Sequence, residues 1–222
     1  MTTRFPHITY TLPYPMDTLT FWSLVMDGGY IMIPLALLLL LTVYVFTERC
    51  IVINRALRED PTFMKRIRDY VHEADLESAI RLCRNTSTPY ANLILKGLQR
   101  IGRPTQDVLA AIENTGNLEI SNLGKGLPWL STTAAGAPML GFLGTVVGMI
   151  QAFFTLAKAG AASNITLLSG GIYQALVTTV AGLVVGIIAL FAYNYLVARI
   201  NRVMSRLEAR SIEFMDLLNE PA

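Results

Sequence analysis

The sequence predicts an all-α integral membrane protein: three transmembrane helices with long helical extensions on one side of the bilayer. Three observations predict it. Its 222 residues are 53% hydrophobic and only 15% charged, against about 25% charged in a soluble domain. Three stretches, Gly28–Thr47, Gly126–Ala157 and Ala159–Ala198, carry no charge at all. Each is long enough to cross a hydrocarbon core of about 30 Å, which takes about 20 apolar residues. The 18 basic residues are also strongly one-sided. A net charge of +2 gives no nucleic-acid signal, and the composition excludes a disordered tail, a collagen-like fibre and a disulfide-rich secreted module.

Residues 1–27 precede the first span. They hold Pro6, Pro13 and Pro15 and lack the basic start and apolar core of a cleavable signal, so span 28–47 is expected to act as an uncleaved anchor. Its centre is the run from Ile31 to Leu41, and Pro34 is tolerable near a helix start. The aromatics Phe5, Tyr10, Tyr14, Phe21 and Trp22 suit an interfacial segment. Spans 126–157 and 169–198 are separated by the short hairpin 158–168, where Lys158 stands alone.

Segment 48–125 holds 12 of the 18 basic residues and segment 199–222 holds four. Three crossings put both on one side, which the positive-inside rule makes the cytoplasm. Segment 48–125 reads as short helices. One begins near Asp60-Pro61, one covers Asp75–Cys83, and one runs from Ala91 to Ile101. A last one, from Thr105 onward, leads almost uninterrupted into the second span. At about 75 residues the region is expected to pack on extensions of the spans rather than to stand alone. Cys50 and Cys83 have no metal-ligand spacing, and neither His7 nor His72 suggests a ligand. No nucleophile–base pair, phosphate loop or metal cluster supports an enzyme.

The second span carries small residues at helical steps: Ala134, Ala137, Gly141, Thr145, Gly148 and Ala152, with Gly144 and Gly148 forming a GxxxG. The third repeats the design with Gly171, Gln174, Ala175, Thr178, Gly182 and Gly186. Such stripes let helix backbones approach closely in lipid, so the glycines are read first as packing. Thr145, Gln174, Thr178 and Thr179 need hydrogen-bond partners at membrane depth, and Gln174 is expected to face protein or water. The three spans contain no Asp, Glu, His, Lys or Arg. A proton path through the membrane normally uses such groups, so a proton-conducting assembly requires another subunit to bring the acid.

Residues Ala137–Phe153 and Gly171–Gly182, followed by Tyr193-Asn-Tyr195, resemble the signatures of the MotA/TolQ/ExbB proton-channel family, and Asp75–Cys83 resembles its cytoplasmic region more loosely. The resemblance covers nearly everything after residue 21. It implies a bacterial inner-membrane motor subunit of the ExbB type, with periplasmic N-terminus and cytoplasmic C-terminus. Five copies are expected to form a ring around the transmembrane helices of two ExbD-like subunits, whose membrane-embedded Asp titrates. The proton motive force then drives a TonB-like protein that energises outer-membrane transport. By position in the motifs, Thr145 and Thr179 correspond to pore-lining threonines, with Gln174 and Thr178 beside them on the ion pathway. No cofactor, metal or nucleic acid is implied.

One departure matters. Where the family has a glutamate, this chain has Gln174, which cannot titrate but still donates and accepts hydrogen bonds. The translocated ion is then H⁺ through the partner's acid, or Na⁺ held by hydroxyl and amide oxygens. A TolQ-like role in outer-membrane integrity and a non-conducting membrane scaffold stay open beside the TonB-type role.

Overall fold

The computed structural model describes residues 28–58, 60–159 and 165–219. The expectations for the N-terminal segment 1–27 and for the hairpin centre 160–164 fall outside them. Seven α-helices make up the described residues, with no strand: α1 (Met32–Ala56), α2 (Phe63–His72), α3 (Leu76–Asn85), α4 (Pro89–Leu98), α5 (Thr105–Leu123), α6 (Leu127–Ala159) and α7 (Ile165–Asn219). Three helical stretches, Gly29–Ala56, Leu127–Lys158 and Leu168–Asn219, are long and apolar enough to cross a membrane.

A 3₁₀ turn, Gly29–Ile31, precedes α1. Gly29 adopts φ +68° there, a left-handed conformation that favours glycine. The helix buries Leu35, Thr42, Val45 and Ile53 along one stripe and turns Ile33, Leu37, Leu40 and Tyr44 outward. It continues past Thr47 to Ala56, because nothing after the charge boundary breaks helical geometry. Arg49 pairs with Glu48 and donates to the Asn122 carbonyl at 3.3 Å. That bond ties the end of α1 to α5.

The basic end of the molecule is a bundle of short helices. Asp60 does not start a helix at Pro61 as the sequence suggests. Its carboxylate instead accepts from the Thr62 N–H (2.9 Å) and hydroxyl (2.7 Å), and this turn delays α2 to Phe63. Asp75 caps α3 by accepting from the Ser78 N–H at 3.0 Å, satisfying a donor left free at a helix start. Pro89 opens α4, where its missing N–H costs nothing. Between α5 and α6 the chain breaks only at Gly124–Gly126, and Gly126 takes φ +88°.

Two clusters hold the fold together. The larger joins the end of α1, helices α2–α5 and the last part of α7, with Phe63, Ile67, Ile94, Ile112, Leu196 and Phe214 fully buried. The smaller lies between the spans, around Leu35, Ala137 and Val185. Running through both is α7, 55 residues long and about 80 Å at 1.5 Å per residue. It is long enough to cross a bilayer and project well beyond it. Cys83 lies fully buried in the larger cluster, and this burial pushes its thiol up to about 12.

Candidate functional site: the seam between α6 and α7

The two stripes of small residues meet. Helices α6 and α7 run antiparallel, with Gly148 against Ala175, Gly141 against Gly182 and Pro138 against Gly186. A methyl carbon on Gly182 would stand 2.6 Å from the Ala137 carbonyl oxygen and 2.8 Å from Gly141 Cα. One on Gly141 would stand 2.9 Å from the Thr178 carbonyl oxygen. These neighbours are backbone, which cannot rotate away, so glycine is required at both. Gly144 leaves room for the Thr178 side chain, and Gly171 for Ala152.

At the centre of the seam the hydroxyls of Thr145 and Thr179 contact each other directly across the helix pair. Thr145 also reaches across to the Ala175 carbonyl at 3.1 Å, and Thr179 to the Gly141 carbonyl at 3.3 Å. Each is also within reach of the carbonyl four residues back in its own helix, at 3.4 Å and 3.5 Å. A hydroxyl has one hydrogen and two lone pairs. The pair therefore has several alternative bonding patterns and retains acceptor capacity for a visitor. Both residues are half-buried. Thr145 borders an open apolar groove with Val146, Met149, Ile150, Phe153 and Phe154.

The four residues expected on the ion pathway divide into two pairs. Thr178 is fully buried and donates to the Ala175 carbonyl at 2.8 Å. Gln174, four residues earlier and on the same face, packs its amide nitrogen against the Gly29 turn. It lines a cavity of about 110 Å³ with Gly28, Tyr30, Gly144, Gly148 and Gln151. Thr179 lies about 140° around α7 from Gln174, at 100° per residue. Gln174 and Thr178 thus face α1, while Thr145 and Thr179 open on another side of the seam. Sequence reasoning missed this division and the Ala175 carbonyl, on which three threonine hydroxyls converge. A main-chain acceptor leaves no trace in residue type. The Gly28-Gly29 pair was the one available signal for the turn that receives Gln174.

The boundaries of the span are marked by cations on aromatic rings. At one end Lys158 lies 4.4 Å from the Phe154 ring centre. At the basic end Arg199 donates to the Tyr195 hydroxyl at 3.1 Å and lies over its ring. Between these marks the described seam has no titratable side chain except Tyr173 and Tyr193. No group of three or more His, Cys, Asp or Glu placed to hold a metal occurs among the described residues.

Comparison with known proteins gives a consistent result. The family model described as the MotA/TolQ/ExbB proton channel family matches residues 85–209. A putative biopolymer transport protein, ExbB homolog, from Methanothermobacter thermautotrophicus is 30% identical over 148 residues, 67% of this chain and 52% of that protein. The putative biopolymer transport protein ExbB-like 1 of Synechocystis is 31% identical over 176 residues, covering 78% and 69% of the two chains. The Tol-Pal system protein TolQ of Haemophilus influenzae is 36% identical over 106 residues, 48% and 46% of the two. The match thus spans about half the length of the Methanothermobacter protein.

Proposed function

The chain belongs to the MotA/TolQ/ExbB proton channel family, and from that premise we propose that it is the wall-forming subunit of an ion-driven motor in a bacterial inner membrane. Five copies form a ring, with the basic bundle in the cytoplasm and the Lys158 end in the periplasm. An ExbD-like subunit threads the ring and supplies the carboxylic acid that the seam lacks. The ion current moves that inner subunit, which drives a TonB-like protein and energises outer-membrane transport.

The observation that carries this reading is the Thr145–Thr179 hydroxyl pair in a seam without acids. Two hydroxyls with interchangeable donors can solvate a partner's carboxyl group in both protonation states, donating to the carboxylate and accepting from the acid. They leave the charge change to the partner. Gln174 instead packs on the Gly29 turn before α1, and Thr178 fills the space beside Gly144. Because Gln174 faces α1, its amide oxygen and the hydroxyl pair do not form one oxygen cage within a protomer, which weighs against Na⁺ as the coupling ion. The likeness to a TolQ protein favours one second reading, coupling of the same current to outer-membrane integrity.

The test is reconstitution with the ExbD-like subunit in proteoliposomes and measurement of ion flux under an imposed potential. The expected flux is carried by H⁺, unchanged when Na⁺ is replaced by K⁺ and absent from liposomes that lack the complex. Flux that requires Na⁺ would reverse the ion assignment, and an assembled ring without flux would make the chain a scaffold.

A further inference from the structure

A second wide recess lies outside the seam. It is a groove of about 600 Å³ between α5 and the end of α7, floored by α4. Leu93, Leu109, Ile112, Met204, Ile212 and Met215 line it, with Glu113 and Glu208 among them. Ile212 is 62% exposed, Met204 40% and Leu109 39%. In the watery compartment assigned to this end, exposed apolar residues gathered in one recess mark a binding surface. Beyond the spans, the other exposed large apolar residue described in segments 57–125 and 199–219 is Leu118.

Three features describe the occupant. The recess is an elongated apolar trough between two helices, the form that takes the apolar face of an amphipathic helix, and its two methionines adapt to such a face. Glu113 and Glu208 are exposed and form no ion pair among the described residues, so they present unmatched negative charge. The groove also continues the side of α7 that carries the hydroxyl pair. Thr179, Val197 and Met215 are spaced 18 residues apart, about five full turns, and so share one face of the helix. The recess begins five residues beyond Arg199, about 8 Å along the helix axis.

We infer that this groove docks the basic amphipathic segment on the cytoplasmic side of a single-span partner's membrane helix, the same partner whose acid meets Thr145 and Thr179. This rests on the ion-path reading for the partner's placement. A helix leaving the bilayer on that side carries Lys and Arg at its flank, which Glu113 and Glu208 match. Docking there couples movement of the partner in the membrane to the α5–α7 bundle.

The test uses the full chain co-expressed with the ExbD-like subunit, with p-benzoylphenylalanine in place of Ile212 and, as control, of exposed Arg81 on α3. Irradiation is expected to join position 212, but not 81, to the partner within about ten residues of its membrane helix, a reach of about 15 Å if helical. Glu113→Lys with Glu208→Lys is expected to lower that yield about tenfold, and exchange of the partner's flanking Lys and Arg for Glu to restore it. Adducts only to a second copy or to lipid, no adduct at position 212, or a yield indifferent to charge reversal would overturn the proposal. Thr145→Ala separates the two readings. It is expected to stop flux and keep the adduct. Flux that persists in Thr145→Ala with the adduct intact would count against the ion path and leave the groove standing.

Discussion

The α6–α7 seam and the basic bundle share one helix, α7, yet hold together by opposite means. In the bundle α7 contributes Leu196, Leu207 and Phe214 to a core of large side chains that includes Phe63, Ile94 and Ile112. In the seam it contributes Gly171, Ala175, Thr178 and Gly182, and the backbones nearly touch. The difference follows the solvent. In water, burying a large apolar side chain stabilises by about 1.5–3 kcal/mol. In lipid that gain is absent, and close backbone packing with satisfied hydroxyls takes its place. Glycine weakens a helix in one setting and joins two helices in the other.

Truncation in the bundle is the strongest way to break the contrast. Phe214→Ala is expected to cost about 3–5 kcal/mol, read as a loss of denaturant resistance in the bundle. Gly97 packs against the Phe214 ring, so a cavity opens beside α4. In the seam the opposite change does the damage. Gly182→Ala is expected to cost about 1–3 kcal/mol through overpacking against backbone, read by thermal unfolding in detergent. An alanine tolerated there would mean that the close approach is not required.

A smaller effect comes from acid. The Thr62 hydroxyl and N–H hold the Asp60 carboxyl below its usual range, and the Ser78 hydroxyl and N–H do the same for Asp75. Both groups stabilise the fold above the ordinary carboxylate pKa of about 4, and that contribution is lost as pH falls through their lower folded values. Below about pH 4 the starts of α2 and α3 are expected to lose protection against amide hydrogen exchange, measured relative to the intrinsic exchange rate at the same pH. The acid-free seam should not respond.

Much of this contrast was legible in the sequence. Three charge-free stretches fixed the number of spans, and the spacing of small residues identified the faces that meet. The overshoot of α1 to Ala56 was hidden, since Glu48 and Arg49 mark a change of solvent and not the end of a helix. The delayed start of α2 was hidden in the Asp60 turn. The polar residues of the seam were readable as a set but not as a geometry. Thr145, Gln174, Thr178 and Thr179 are all polar in apolar helices, and helical spacing alone separates Gln174 from Thr179. Where α1 lies decides which face is covered, and that contact between Gln174 and the Gly29 turn is long-range.

The most direct measurement is therefore H⁺ flux through the reconstituted complex for Thr179→Val and Gln174→Leu side by side, with ring assembly checked for each. Thr179→Val is expected to assemble and lose flux, while Gln174→Leu assembles and keeps it. Full flux in Thr179→Val, with flux lost only in Gln174→Leu, would contradict it.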